Sequence, residues 1–152
     1  MKSKTALDSA VRIRRLLSSQ KLGVLATHED RRPYQSLVAF VVSADLKHIY
    51  FATETETRKH SNLVKSPEVS MLFDDRGNAE DDFNRGIAVT ALGKAATVKP
   101  RSLKKARELY LEKHPSLDGF LKSPTCRMFQ IKVKTYMVVT EFQRVAEYNP
   151  AE

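Results

Sequence analysis

The triplet Thr57-Arg58-Lys59 is the part of the sequence whose residue types and spacing most directly suggest chemistry. Thr57 is a typical N-cap residue, and Thr57–Lys65 is long enough for two turns of helix. A helix start offers unpaired backbone N–H groups and positive dipole potential, while Arg58 adds a bidentate guanidinium and Lys59 a compact charge. Together these groups can bind a phosphate monoester. From the spacing alone, the alternative is a capped surface helix with two solvated cations.

The other reactive residue types form no catalytic or metal-binding pattern. The chain has four histidines: His28, His48, His60 and His114. None has H-x-H or H-E-x-x-H spacing, so no metal site is predicted, although His60 directly follows the Thr57-Arg58-Lys59 cluster and could add a third donor. The single cysteine, Cys126, is expected to be a small buried hydrophobic residue. No carboxylate pair and no Ser/His/Asp arrangement stands out, so the catalytic residues stay unassigned.

Length and composition indicate one globular domain covering residues 1–152, with 41% hydrophobic and 29% charged residues. No apolar run approaches the roughly 20 residues that span a bilayer, and the N-terminus lacks the apolar stretch of a secretory signal. We therefore expect a cytoplasmic protein with no membrane partner. The net charge of +8 is compatible with nucleic-acid binding, but the basic residues are scattered. Attraction of anionic small molecules explains this charge at least as well.

Three segments have helical patterns. Residues 5–19 place apolar side chains at helical spacing, with arginines on the other face. Thr57–Lys65 ends at Ser66-Pro67, because proline disfavours a helical residue before it. Pro100 opens a third helix, which His114-Pro115 closes.

Seven further segments have the Val-, Ile- and aromatic-rich composition of strands. They are Leu22–Thr27, Tyr34–Ser43, Ile49–Thr53, Val69–Phe73, Ile87–Val98, Met128–Val133 and Met137–Phe142. Residues 28–33 have the composition of a turn and residues 74–82 that of an exposed loop, while Gly93 predicts a bulge or bend inside a strand. The sequence predicts an α+β, mostly β protein. Its six or seven antiparallel strands are expected to close into a barrel with short flanking helices, since closure removes strand edges.

The stretch from Tyr34 to Asp75 resembles the pyridoxamine 5′-phosphate oxidase family. The matching runs, in order, are Tyr34-Gln35-Ser36-Leu37-Val38, Ile49-Tyr50-Phe51-Ala52-Thr53, Thr57-Arg58-Lys59, Asn62-Leu63 and Ser66-Pro67-Glu68-Val69-Ser70-Met71-Leu72-Phe73. In that family a strand with an aromatic-x-Thr ending precedes a Ser/Thr-Arg-Lys phosphate site. Residues 22–98 match the family's core strands more loosely, and the rest matches only in its layout. The resemblance implies a split β-barrel that binds flavin mononucleotide (FMN).

The resemblance also implies which residues contact the flavin. Arg58 and Lys59 would hold the FMN phosphate, and Thr57 would assist through its hydroxyl. Four residues would follow the isoalloxazine ring through their backbone N–H and C=O groups: Ser36, Leu37, Val38 and Ala39. Ala52 and Thr53 would contact the ring or the ribityl chain. For Leu37 and Val38 taken individually, the alternative is that they are ordinary residues of the barrel core.

Two flavin sites at a two-fold interface, and so a homodimer, are also implied. We expect its interface to include faces of the Tyr34–Ser43 and Ile87–Val98 strands, because a barrel of this size has more apolar strand positions than its interior can hold.

Several residues depart from the pattern of the family's true oxidases. Those enzymes have an arginine where this chain has Ser36, and a partner-subunit glutamine where it has Ala88. They end in a segment with Trp and Arg that binds the substrate, whereas this chain has no Trp and its tail, Val139–Tyr148, offers only Arg144. The sequence therefore does not favour an enzyme that forms pyridoxal phosphate.

The functional prediction is an FMN-dependent oxidoreductase that acts on another small molecule. A non-catalytic carrier of FMN or another phosphate ligand is the alternative. Haem or deazaflavin F420 binding in a split barrel, and a basic nucleic-acid-binding barrel, are minor alternatives. No convincing late histidine follows His114 to serve as a haem ligand.

Overall fold

The computed structural model describes all residues, 1–152. It contains seven strands: β1 (Leu22–Glu29), β2 (Arg32–Val42), β3 (His48–Glu54), β4 (Glu68–Asp74), β5 (Ile87–Thr97), β6 (Cys126–Thr140) and β7 (Arg144–Tyr148). It contains five α-helices: α1 (Lys4–Ser19), α2 (Arg58–Lys65), α3 (Asp82–Arg85), α4 (Pro100–Lys113) and α5 (Asp118–Lys122). A single 3₁₀ turn, Pro115–Leu117, joins α4 to α5. None of the helices combines the length and the apolar character that crossing a membrane requires.

All strands belong to one antiparallel sheet with the order β3-β2-β1-β4-β5-β6-β7. Pairing of β3 with the first half of β6 closes six of these strands into a barrel. The second half of β6 pairs with β7 instead. Strand β2 pairs with β1 along most of its length but with β3 only over Phe40–Val42, so part of its edge is open. The predicted antiparallel split barrel with short flanking helices is confirmed.

Two hydrophobic clusters hold this arrangement together. The larger fills the barrel and includes the buried face of α1, with Ile13, Leu17, Phe40 and Phe73 among its fully buried side chains. Helix α1 begins at Ser3, whose side chain accepts a hydrogen bond from the Ala6 N–H. The smaller cluster lies outside the barrel, where α4 and α5 cover the outer face of β2, β3 and β6. This second layer positions the helical segment beside the predicted flavin-binding strands.

The β1–β2 connection is tighter than the sequence predicts. Residues 28–33 were expected to form a turn, but β1 and β2 extend until only Asp30 and Arg31 connect them, with φ of 48° and 65°. Pro33 therefore lies inside β2, opposite His28. A strand tolerates proline here because β3 does not reach this part of β2, so no hydrogen bond across that edge is lost.

An irregularity is present where Gly93 predicted one: the register of β5 with β6 shifts between Leu92 and Gly93, and the extra residue, Lys134, lies in β6. A Cβ at Gly93 would lie 2.2 Å from the Lys132 carbonyl oxygen, so the two backbones approach too closely for a side chain. On either side of this irregularity, the first half of β6 pairs with β3 and the second half pairs with β7.

Three elements near the end of the chain differ from prediction. The strands expected at Met128–Val133 and Met137–Phe142 are one continuous strand, β6, because β5 pairs with both halves and bridges the break in alternating burial at Lys134 and Thr135. Phe142 lies in the β6–β7 turn with φ of 44°. Strand β7 and helix α5 were not predicted, since their short segments are specified by packing on β6.

Candidate functional site

A cavity of about 300 Å³ lies where β2 and β3 meet α2 and the helical segment 100–123. It is lined by Leu37, Val38, Ala39, Ala52, Thr53, Glu54, Thr57, Lys59, Tyr110, Leu117 and Phe120. Every predicted flavin-site residue except Ser36 and Arg58 is therefore part of its wall. The volume is at the lower end of the range of small-molecule sites, about 300–1,000 Å³.

Helix α2 begins beside this cavity, and its first residues leave hydrogen-bond donors free. Thr57 is the N-cap and accepts from the His60 N–H at 3.3 Å, while the Ser61 N–H bonds to the Thr57 carbonyl. The N–H groups of Arg58 and Lys59 precede the first intrahelical bonds and have no partner of this kind. These two donors, together with the helix dipole, favour an anion at this point.

The Thr57 hydroxyl is already engaged. Its oxygen lies 2.9 Å from the Glu54 carbonyl, to which it donates, and 3.0 Å from the Thr53 hydroxyl. In this arrangement Thr57 contributes to anion binding by fixing the start of α2.

The two cations of the cluster differ in position. Lys59 lines the cavity, whereas the Arg58 guanidinium carbon lies 5.4 Å from the centre of the Tyr34 ring. The bond from Lys65 and its positive charge lower the pKa of Glu29, and Arg58 adds a smaller effect of the same sign. The Arg58 side chain is thus directed to the rim of the cavity, over the exposed Tyr34 of β2.

Ser36 faces the other side of β2. It pairs with Leu25, a fully buried core residue, and its hydroxyl oxygen is buried without a hydrogen-bond partner. Only the Ser36 backbone is placed to follow a ligand on the outer face, which is the role that the resemblance implies. The other buried oxygen without a partner is Oδ1 of Asn62, whose amide nitrogen donates to the Thr27 hydroxyl at 3.0 Å and ties α2 to β1.

The far end of the cavity consists of residues that sequence reasoning missed. Tyr110, Leu117 and Phe120 come from α4, the 3₁₀ turn and α5, and Glu54 follows the predicted residue Thr53. Burial raises the pKa of Tyr110 to about 12, so its hydroxyl stays protonated at neutral pH and can donate a hydrogen bond. The apolar stripe of α4 was the available signal, but it did not indicate which strands this helix covers.

This geometry can hold a flat, largely apolar group joined to a phosphate ester. Leu37, Ala39 and Ala52 provide an apolar wall on the outer face of the sheet, while Lys59 and the start of α2 provide positive charge at one end. The donor set therefore matches the two chemical parts of a flavin nucleotide.

Three of the four histidines, His28, His60 and His114, lie in different environments. His114 is buried, and its Nε2 lies 2.7 Å from the Phe40 carbonyl oxygen. His60 packs edge-on against Phe129, with ring centres 5.7 Å apart, and does not line the cavity. His28 lies in β1 and lines a different concavity. No group of three or more His, Cys, Asp or Glu side chains is placed to hold a metal ion.

The concavity that contains His28 encloses about 980 Å³ over the outer face of β1, β4, β5 and β6. Its charged lining residues include Lys94, Lys132 and Lys134. The same outer face exposes Leu37 and Leu92 by 66% and 40%, values that are high for apolar residues in paired strands. The register aligns Leu37, Val24 and Leu72 across neighbouring strands in one apolar row.

Comparisons with known proteins agree with this fold. The family model described as pyridoxamine 5′-phosphate oxidase matches residues 11–140. No curated protein sequence matches the chain. A haem-binding protein from Mycobacterium smegmatis superimposes with a TM-score of 0.83 at 18% identity, covering 99% of this chain and 60% of its own. An FAD-binding protein from Mesorhizobium loti does so with a TM-score of 0.68 at 18% identity, covering 85% and 92%. Campylobacter jejuni ChuZ gives 0.79 at 12% identity, covering 98% and 61%.

Proposed function

Because the chain belongs to the pyridoxamine 5′-phosphate oxidase family, we propose that it binds FMN in the cavity between β2, β3, α2 and α4. The observation that carries this proposal is the convergence of Leu37, Ala52 and Lys59, which lie on separate elements, on one cavity. In this proposal the phosphate lies at the start of α2, held by the backbone N–H groups of Arg58 and Lys59 and by both side chains. The ring lies along the outer face of β2, beside Leu37 and Ala39.

Visible spectroscopy tests the proposal directly. The purified protein is expected to be yellow, or to become yellow and stay so when incubated with FMN and passed through a gel-filtration column. Mass spectrometry of the released compound then distinguishes FMN from FAD and from the deazaflavin F420. A protein that remains colourless after loading with each of these compounds would contradict a flavin site.

We further propose that the protein is an oxidoreductase of a small molecule. A bound flavin supplies the electron-transfer chemistry, so the chain itself needs only to bind, orient and shield the reactants. Tyr110, Leu117 and Phe120 provide an apolar wall with one hydroxyl donor beside the proposed ring position. This wall favours a reactant with a flat apolar part and one hydrogen-bond acceptor. Dithionite or a nicotinamide donor should bleach the yellow colour, and air should restore it.

Formation of pyridoxal phosphate is not part of the proposed activity. Near-attack geometry needs groups that hold the substrate's phosphate and ring, and a misplacement of about 1 Å can cost on the order of a hundredfold in rate. Ser36 faces the barrel interior, and the exposed Arg144 is paired with Glu141. We expect turnover of pyridoxine phosphate far below the roughly one per second of an ordinary enzyme. Formation of pyridoxal phosphate at that rate would show that other residues recognise this substrate.

A carrier that binds FMN without turnover is the rival function. It predicts the same spectrum and the same affinity, but no donor should bleach the flavin faster than it bleaches free FMN. Stopped-flow comparison of bound and free FMN with a panel of nicotinamide donors separates the two functions.

Haem binding is a second candidate, favoured by the large concavity on the outer face. His28 could serve as an iron ligand there, and Lys94, Lys132 and Lys134 could pair with the two propionates. His114 is a poor ligand candidate because it is buried and bonded to Phe40. Titration with haem should give a Soret band that shifts in His28→Ala if this site exists, whereas an unchanged band would exclude His28 as the ligand.

We propose that the protein is a homodimer, with the outer face of β2 and β5 in its interface. The exposed Leu37 and Leu92 and the apolar row through Val24 and Leu72 support this, because such a face is costly to leave in water. Light scattering should give twice the chain mass of 17.2 kDa. A monomer at micromolar concentration would remove any model in which two subunits share the flavin site.

A further inference from the structure

A separate groove, of about 540 Å³, shares no lining residue with the proposed flavin cavity. Helix α1, helix α3 with the residues after it, and the end of β6 form its walls. Its lining residues are Arg12, Arg15, Leu16, Ser19, Asp75, Asn84, Arg85, Gly86, Ile87, Thr140 and Glu141. The flavin cavity lies near the start of β6, where Ala52 pairs with Met128. Thr140 ends the same strand, so the two sites lie beside different ends of β6.

Three arginines and two carboxylates line this groove. The three guanidinium groups of Arg12, Arg15 and Arg85 take part in none of the ion pairs of the structure. Glu141 is paired with Arg144, so Asp75 is the one lining carboxylate left to offset three arginines, and a net positive charge remains. The arrangement suits an anion with several oxygens, since each guanidinium can donate two parallel hydrogen bonds.

The carboxylates in the groove, Asp75 and Glu141, and the nearby Asp82 each contact another group of the protein. Asp75 Oδ1 accepts from the Ile87 N–H at 2.8 Å, and Glu141 Oε2 lies 3.2 Å from Arg144 Nη1. Asp82 accepts from the Gly77 N–H at 3.0 Å and from the Ala79 N–H at 3.3 Å, and these bonds lower its pKa. These acidic groups stabilise the loop before α3 and the β6–β7 turn.

An exposed aromatic pair lies next to the groove in the sequence. Phe83 precedes the lining residue Asn84, and Phe142 follows the lining residue Glu141. Their rings meet edge-on, with centres 5.6 Å apart, and are 58% and 64% exposed. Two aromatic rings left in water beside a cationic groove offer a surface on which a planar base can stack.

We propose that this groove binds a nucleotide, with its phosphates on Arg12, Arg15 and Arg85 and its base against the Phe83–Phe142 pair. The site is separate from the proposed flavin cavity and does not depend on it. Because the two sites share no lining residue, its ligand is an effector or a cargo and not the flavin itself.

Isothermal titration calorimetry of the full chain with ADP, inorganic pyrophosphate and adenosine tests the proposal. We expect ADP to bind more tightly than pyrophosphate, and adenosine more weakly than either. The double substitution R12Q/R15Q should weaken ADP at least about twentyfold and R85Q at least about fivefold, since each removes charge-assisted hydrogen bonds. F83L/F142L should reduce ADP to the affinity of pyrophosphate and leave pyrophosphate unchanged.

Two control variants make the result specific to the groove. Arg101→Gln removes a positive charge from the exposed start of α4, and Lys59→Gln removes one from the flavin cavity. Neither should change the affinity for ADP. Circular dichroism should show that all variants fold, because the substituted arginines are exposed and unpaired. The proposal is overturned if ADP does not bind at about 1 mM, if R12Q/R15Q binds ADP like wild type, or if Lys59→Gln abolishes binding.

Discussion

The phosphate end of the flavin cavity gives the sharpest test of the proposed function. Lys59→Gln removes the only lysine that lines the cavity, and Arg58→Gln removes the guanidinium at its rim. A hydrogen bond to a charged group contributes about 1.5–3 kcal/mol, so losing Lys59 should raise the Kd of FMN by roughly 10- to 150-fold. Arg58 must leave the Tyr34 ring to reach a phosphate, which offsets about 0.5–1 kcal/mol of its contribution. We therefore expect Arg58→Gln to weaken FMN less than Lys59→Gln.

Riboflavin, which has the same ring without the phosphate, is the matched ligand control. Titration followed by quenching of flavin fluorescence should give the same riboflavin affinity for wild type and both variants. Lys65→Gln is the matched protein control, because Lys65 ends the same helix and is bonded to Glu29 away from the cavity. Equal affinity of wild type for FMN and riboflavin would refute the assigned phosphate site. So would a Lys59→Gln variant that weakens both ligands equally.

Three further predictions concern stability and are measured by urea unfolding. Gly93→Ala should lower the free energy of unfolding by about 2–4 kcal/mol, because its Cβ would collide with the Lys132 carbonyl; an unchanged midpoint would show that the bulge can relax. Ser36→Ala should raise it by up to about 1 kcal/mol, because a buried hydroxyl without a partner is removed; a loss would mean that this hydroxyl has a partner. Burial lowers the pKa of His114, so the unfolded chain takes up a proton on acidification before the native chain does, and stability should fall as the pH drops below about 6.5. His114→Gln, which can keep a donor to the Phe40 carbonyl, should show a smaller loss between about pH 7.5 and 5.5; an equal loss would assign the pH dependence to other groups.

The parts of the site that the sequence could predict are those that local chemistry determines. A capped helix start with adjacent cations is specified by Thr57, Arg58 and Lys59 themselves, and the structure shows the predicted cap. A strand irregularity could be predicted at Gly93 because it depends only on the close approach of two neighbouring strands. Whether these residues bind FMN stays a prediction.

The parts that could not be predicted depend on contacts between segments distant in the sequence. Tyr110 and Phe120 reach the cavity because α4 and α5 pack on β3 and β6. Helical periodicity indicates that a helix has a buried face, but it does not indicate which strands that face contacts. The two halves of β6 were separated because local composition does not show that one strand can change partners halfway. The sequence placed Ser36 on a strand beside the flavin, but it did not show that the Ser36 side chain faces the barrel interior. That direction follows from the pairing of Ser36 with the buried Leu25.

The closure of the barrel by β3 and β6 has a consequence for how the chain folds. The first three strands are joined by short local connections, but β3 gains its second partner only from a segment that follows seven intervening elements. Such non-local pairing raises contact order, which slows folding. During synthesis the outer edge of β3 and the open half of β2 must wait exposed, and exposed edges recruit other strands. Pro33, which lacks an N–H, together with the exposed Arg31 and Arg32, gives the open part of the β2 edge a means of resisting aggregation before and after β6 closes the barrel.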